Sequence, residues 1–216
     1  MEFSKISIHS IVSYPFEENT YIAHFVDSGD CFVVDPGFEP EKIIDYLEKK
    51  KLNPIAVLLT HGHADHIAGI GEIKRKWSDC VVCIGYGDEE KLVDPAKNLS
   101  SPFGFPLVVS SAEVLFRDGD SREIAGIPIT VRHVPGHSAG HVVYLIDCDA
   151  KPILFSGDVI FHGSIGRSDF PDGNPVQLLD SIRRQILTLP DATIIYSGHG
   201  PKTTVGAERK HNPFLQ

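Results

Sequence analysis

Short apolar runs, each closed by a glycine or a polar residue, recur along the chain and predict its elements. Residues 3–13 alternate as a half-exposed strand does, offering Phe3, Ile6, Ile8 and Ile11 to a core. Residues 19–25 and 31–34 read as two more strands around the turn Asp27-Ser28-Gly29-Asp30. Over residues 40–50 the period changes. Ile43, Ile44 and Leu47 form one stripe among charges, which predicts a helix on a sheet face, closed by Asn53-Pro54. The run Ala56-Val57-Leu58-Leu59 is a buried strand, a helical stripe covers residues 66–77, and residues 80–84 are strand again. This β-α-β-α-β order predicts a layered α/β fold. Further strands are expected at 113–116, 122–125, 127–134, 142–147, 152–156 and 192–197, with helices over 175–189 and 204–209. Residues 85–110 break the pattern with Gly85, Gly87, Pro95, Pro102, Gly104 and Pro106, and offer one helix over 87–94. A stretch of that length is either a wall over a site or a surface excursion.

The ends of the runs carry the chemistry. Directly after Leu59 comes Thr60-His61-Gly62-His63-Ala64-Asp65-His66, four metal-capable side chains within six residues. In extended chain His61 and His63 lie on the same side, so two imidazoles reach one ion. Asp65 and His66 fall where the helical stripe begins, and a carboxylate suits a helix N-terminus. His137 follows the strand around Ile129 and the turn Pro135-Gly136, Asp158 follows Ser156-Gly157, and His199 follows Ser197-Gly198. Strands of one fold would hang all of these from a single rim. That convergence predicts a metal centre.

In this order, His-x-His-x-Asp-His, Pro-Gly-His, Gly-Asp and Gly-His, preceded by Val34-Asp35-Pro36-Gly37, resemble the metallo-β-lactamase fold superfamily over nearly the whole chain. The segments Ile165-Gly166-Arg167-Ser168-Asp169-Phe170-Pro171 and Gly198-His199-Gly200-Pro201-Lys202-Thr203-Thr204 look most like hydroxyacylglutathione hydrolase (glyoxalase II) and its short relatives. The resemblance implies a four-layer αβ/βα sandwich of two mixed β-sheets flanked by helices, with residues 1–216 as one domain that lacks the C-terminal helical glutathione-binding domain of the long enzymes. It implies two ions: His61, His63 and His137 on the first, Asp65, His66 and His199 on the second, and Asp158 shared. Asp35 and His141 would brace ligands from behind. Ligand nitrogens and oxygens without thiolate favour zinc and admit iron or manganese.

Such ions lower the pKa of a bridging water and polarise a carbonyl, with Asp65 and Asp158 as the catalytic carboxylates. The resemblance implies a thioester of the S-hydroxyacylglutathione type as the substrate, and its thiolate, of pKa about 8.5, would depart without a general acid. Arg167 matches the position where those hydrolases carry a glutathione-binding cation. Its other reading is a brace for its own loop through Asp169, and the residue two positions on, Tyr in those enzymes, is Asp169 here. Rival readings are a persulfide dioxygenase holding one iron on His61, His137 and Asp158, and a lactonase or amidase of the same fold.

Composition narrows the partners. Apolar residues at 42% and charged residues at 23% are ordinary for a globular protein. A net charge of −9 argues against nucleic acid, and the basic clusters Lys49-Lys50-Lys51 and Lys74-Arg75-Lys76 suit helix ends. No apolar run is long enough to span a bilayer, and the start has no signal-peptide pattern, so no membrane partner and a cytoplasmic location are expected. Cys31, Cys80, Cys83 and Cys148 are scattered, which predicts buried reduced thiols, although Cys80-Val-Val-Cys83 has the spacing of a redox or zinc pair.

Overall fold

The structure, a computed structural model, describes residues 5–148 and 151–216. The core role expected of Phe3 lies outside them. Two six-stranded sheets form the centre. The first runs β1 (Ile6–Ser13), β2 (Glu18–Phe25), β3 (Asp30–Val34), β4 (Asn53–Leu59), β5 (Val81–Gly85) and β6 (Val114–Phe116) in sequence order. Its first two pairings are antiparallel and the rest parallel. The second contains β7 (Ser121–Ile124), β8 (Ile127–His133), β9 (Val142–Ile146) and β10 (Ile153–Gly157); after the small hairpin of β11 (Ile160–Phe161) and β12 (Ser164–Ile165), it is completed by β13 (Ile194–Ser197) and β14 (Thr203–Thr204). Only the β10–β13 pairing in it is parallel.

Strand periodicity sorts the core into layers. Side chains on a strand alternate between faces, so a strand covered on both sides reads as a continuous apolar run. Phe32, Val34, Ala56 and Leu58 point between the sheets, where they meet Val142, Tyr144, Ile146 and Phe155. Their neighbours Val33, Val57 and Leu59 face the opposite way, onto Ile43 and Leu47 of α1 (Pro40–Lys50) and Ile70 and Ile73 further on. On the far side Val143, Leu145 and Leu154 pack against Leu178, Ile182 and Val205. The result is the four-layer αβ/βα sandwich.

The helices differ in detail from their sequence pattern. The helix expected over 66–77 is two pieces, α2 (Ala64–Ile67) and α3 (Ile70–Lys76). Gly69 separates them because its backbone lies on the Pro36-Gly37 turn, with its N–H donating to Pro36 O at 2.8 Å and space for a Cβ closed by Gly37 O at 2.9 Å. The expected 175–189 helix is α4 (Pro175–Ser181), capped by the Asn174 side chain on Gln177 N–H, continued by a wider π turn over Ile182–Ile186. The closing helix is α5 (Val205–His211). The helix expected over 87–94 is a single 3-10 turn, Glu89–Leu92. All four cysteines are unpaired; Cys80 and Cys83 are buried, and burial pushes both thiols up to about 12. Among the described residues no helix is long and apolar enough to cross a membrane.

Candidate metal centre

Every residue that the sequence put forward as a ligand comes to the same rim. Asp35 follows β3, His61 follows β4, Asp158 follows β10 and His199 follows β13, while His137 lies in the loop from β8 to β9. The two sheets are tied together here. Val142 N–H donates to Thr60 O at 2.8 Å and Tyr144 Oη to Leu59 O at 2.7 Å, so the His61 loop is fastened to the second sheet. Asn19 on β2 holds the His199 loop from the other side, its amide reaching Ser197 O at 3.0 Å and Gly200 O at 2.9 Å. Two glycines allow the close approach. A Cβ on Gly198 would sit 2.2 Å from Asp158 Oδ1, and Gly157, at φ 48°, would put one 2.2 Å from Thr60 Oγ1.

Three close sets of metal-capable atoms result, one of which, Asp35 with His61 and His66, draws one histidine from each of the other two. In the first of those two, His137 Nε2 lies 3.2 Å from His61 Nε2 and 2.9 Å from His63 Nδ1. The second gathers Asp65, His66 and His199, with Asp65 Oδ2 at 3.8 Å from His66 Nε2 and 3.4 Å from His199 Nε2. Asp158 stands between them. Its Oδ1 is 3.4 Å from His66 Nε2, and its Oδ2 is 3.7 Å from His137 Nε2 and 3.5 Å from His199 Nε2.

The opposite ring nitrogens are braced by the scaffold. Asp35 accepts from Thr60 N–H and Oγ1, both at 2.7 Å, and its Oδ2 lies 3.1 Å from His66 Nδ1. Thr60 Oγ1 is 3.1 Å from His61 Nδ1, Arg167 O is 2.7 Å from His137 Nδ1, and Phe16 O is 3.1 Å from His199 Nδ1. With one nitrogen of His61, His66, His137 and His199 directed by a fixed oxygen, the other is directed into the cluster. His141 stacks on His61 at 4.8 Å, and its Nε2 accepts the Asp158 N–H at 3.2 Å.

Electrostatics divide the groups. Burial holds His61 and His63 well below the ordinary 6.5, and His137 below it, so these imidazoles are neutral at neutral pH, the form a metal ligand must take. At His199 burial works the same way, but hydrogen bonds to Asp158 and Asp65 outweigh it and raise its pKa to about 10. His66 is likewise raised by Asp158 and Asp65 against its burial. A site whose carboxylates draw a proton onto each imidazole draws a divalent cation for the same reason. The donor set fits one: His66 Nε2 and Asp158 Oδ1, 3.4 Å apart, are buried polar atoms without a hydrogen-bond partner. Such atoms call for an ion or water.

A cavity of about 350 Å³ opens onto the cluster, sharing His63, Asp65, His137, Asp158 and His199 with it. Its other walls are apolar, with Phe16, Leu99, Phe103, Phe105, Phe161 and Phe170 among them. Residues 85–110 are therefore a wall. Asn98 fixes them to the metal loop: its O accepts Ala64 N–H at 2.9 Å and its side-chain amide reaches Lys91 O and Leu107 O. Arg167 also lines the cavity, but its side chain is 68% exposed, and its guanidinium lies 4.6 Å over the Phe170 ring and forks onto Asp169 with both contacts at 2.9 Å. The contacts to Asp169 are those of the loop brace that the sequence offered as one of its two readings. Sequence reasoning passed over Asn98 and the phenylalanine wall, for which the only local sign was the density of Phe around Pro102 and Pro106.

Known proteins resemble this chain over nearly its whole length. A hydroxyacylglutathione hydrolase, GloC, of Haemophilus influenzae is 34% identical over 97% of this chain and 98% of its own. A probable metallo-hydrolase, YqgX, of Bacillus subtilis is 38% identical over 93% of each. Among solved structures, the BLEG-1 B3 metallo-beta-lactamase superposes with a TM-score of 0.92 at 40% identity, covering 97% of this chain and 100% of that one. A di-iron-bound form of TTHA1623 gives 0.82 at 34%, covering 96% and 100%. The sequence profile of the metallo-beta-lactamase superfamily matches residues 14–199, and the chain belongs to that superfamily.

Proposed function

We propose that this metal-dependent hydrolase is dinuclear and cleaves a thioester of the S-hydroxyacylglutathione type. The carrying observation is the position of Asp158, one carboxylate within 3.4–3.7 Å of nitrogens from both ligand groups. His61, His63 and His137 would hold one ion, and Asp65, His66 and His199 the other, with Asp158 common to both. Zinc suits this donor set, and iron is supported by the di-iron relative. When bound, such ions supply a nucleophile at neutral pH and Lewis acidity toward a carbonyl.

The protein's own groups orient, exclude water and choose the leaving group. The Asp35, Arg167 and Phe16 oxygens fix the ring orientations described above, so the ligand atoms need no rearrangement to meet substrate. The phenylalanine wall removes water from the apolar part of the substrate. Among the described residues lining the cavity, every titratable group except Arg167 belongs to the ligand cluster. No separate acid is at hand to protonate a departing amine or alkoxide, which favours a thiolate, stable as an anion at a pKa of about 8.5. GloC, by its name a hydroxyacylglutathione hydrolase, supports the same substrate class. Arg167 would meet a substrate carboxylate with the guanidinium edge that Asp169 leaves open.

The seven-residue cluster also weighs against a single iron on His61, His137 and Asp158, since His63, Asp65, His66 and His199 face the same centre. Hydrolysis of lactoylglutathione, a simple aryl ester and a lactone by the zinc- and iron-loaded protein tests the proposal. A thioester preference with two ions per chain is expected. Oxygen uptake with glutathione persulfide at one iron per chain, or a faster lactone reaction, would contradict it.

A further inference from the structure

A second buried ionic cluster lies behind the first. Asp88, in the turn after β5, is fully buried, and its carboxylate accepts from Gly62 N–H at 2.9 Å, Ser138 Oγ at 2.8 Å and Gly140 N–H at 2.8 Å. Gly62 separates His61 from His63. Ser138 follows His137, and Gly140 precedes His141. Lys91, one turn on and only 6% exposed at its side chain, lies 3.3 Å from Asp88 and 2.7 Å from Asp172, which in turn accepts Ala139 N–H at 3.1 Å. All three hydrogen-bond donors to Asp88 thus come from the two loops that carry the three-histidine group. One loop ends a strand of the first sheet and the other joins two strands of the second.

We infer that Asp88 is the positioning residue of the three-histidine group, a buried carboxylate that sets the separation of the His61-Gly62-His63 and His137–His141 loops, backed by Lys91 and Asp172. The inference rests on the metal-centre reading and adds residues to it. A buried carboxylate is costly unless hydrogen-bonded and paired, and Asp88 takes its hydrogen bonds from ligand-loop atoms and its counter-charge from Lys91 at 3.3 Å. The packing leaves no slack. A Cβ on Gly62 would lie 2.5 Å from Lys91 Cβ, and one on Gly140 would lie 2.4 Å from Asp88 N. The second group is held elsewhere, by Asp35 on His66 and by Phe16 O on His199. Loss of Asp88 should therefore be felt by one ion and not the other.

Cobalt(II) titration of the full chain, followed by calorimetry and d–d absorption, tests this in two backgrounds. His199→Ala reports the three-histidine group, and His61→Ala reports the other. Asp88→Asn is expected to weaken cobalt binding by about 10- to 100-fold in the first background, the usual cost of losing a group that orients metal ligands. The d–d bands should shift there as well. In the second background affinity and spectrum should stay as they were. Ser138→Ala removes one donor and no charge, so it carries the test if Asp88→Asn does not fold, with a smaller loss confined to the first background. Equal losses in both backgrounds, or a lower Tm with both affinities unchanged, would make Asp88 an ordinary structural residue and overturn the inference. A wild-type chain that binds no cobalt would overturn the metal reading beneath it, a different result from two bound ions with unselective variants.

Discussion

The two clusters of metal-capable side chains on either side of Asp158 are built on opposite principles. His61, His63 and His137 are three neutral imidazoles, each no more than 5% exposed, and burial depresses their pKa values. The other group, Asp65, His66 and His199, is more open, with side-chain exposures of 19% for Asp65 and 27% for His199, and carboxylates push its imidazoles up. One group would hold a cation by prearranged shape and the other by charge. Shape held in a dry pocket resists exchange, whereas charge near solvent attracts quickly and releases readily.

The largest effect should come from removing the residue that both groups share. Asp158→Ala should abolish hydrolysis, a loss beyond the roughly 10²- to 10³-fold of a single missing electrostatic contact, together with one bound ion per chain. Metal analysis beside the activity assay checks it. Full activity would break the comparison at its centre. Next in size, a graded chelator series should remove the ions in order. The ion of Asp65, His66 and His199 is expected to leave first, and His199→Ala should retain one ion per chain; loss of both ions in that variant would show the groups to be one.

A smaller effect concerns stability of the chelated protein against pH. His61, His63 and His141 have pKa values lowered well below 6.5 by burial, so as pH falls below 6.5 the unfolded chain takes up protons that the folded chain refuses. Stability should then drop by about 1.4 kcal/mol per pH unit for each such group. His199 runs the other way. Its pKa, raised to about 10 by Asp158 and Asp65 against burial, contributes stability that is present below 6.5 and lost as pH rises toward 10. Tm measured in chelator across this range should peak near pH 6.5, and a monotonic rise with pH would show that the carboxylates do not govern the second group.

The convergence of the candidate ligands was legible in sequence because several stand at or just past the end of an apolar strand run, as Asp158 does after Ile153–Gly157 and His61 after Asn53–Leu59. Strand ends are local information. The layers were legible for the same reason, since β4 and β10 are apolar on both faces. Asp88 and Lys91 were not, because they fall in the stretch expected as a helix over 87–94 and their burial depends on loops 26 and 50 residues away. The break at Gly69 was hidden likewise, being caused by Pro36 from another strand end. Phe103 is 61% exposed, yet it lines the cavity beside Phe16, whose ring lies 5.5 Å away.

That wall supplies the smallest prediction. Phe103→Ala should raise KM severalfold for thioesters with an apolar acyl group and leave kcat unchanged, because the side chain touches no ligand atom. An equal fall in kcat would place it in the chemistry. Arg167→Ala should act in the same range, but only on substrates bearing a carboxylate.

Two cations sharing one carboxylate is the claim from which the rest follows, and anomalous diffraction from crystals grown with zinc tests it most directly. Two peaks are expected, one among His61, His63 and His137 and one among Asp65, His66 and His199, with Asp158 in contact with both. A single peak, or two peaks with Asp158 turned away from either, would contradict it.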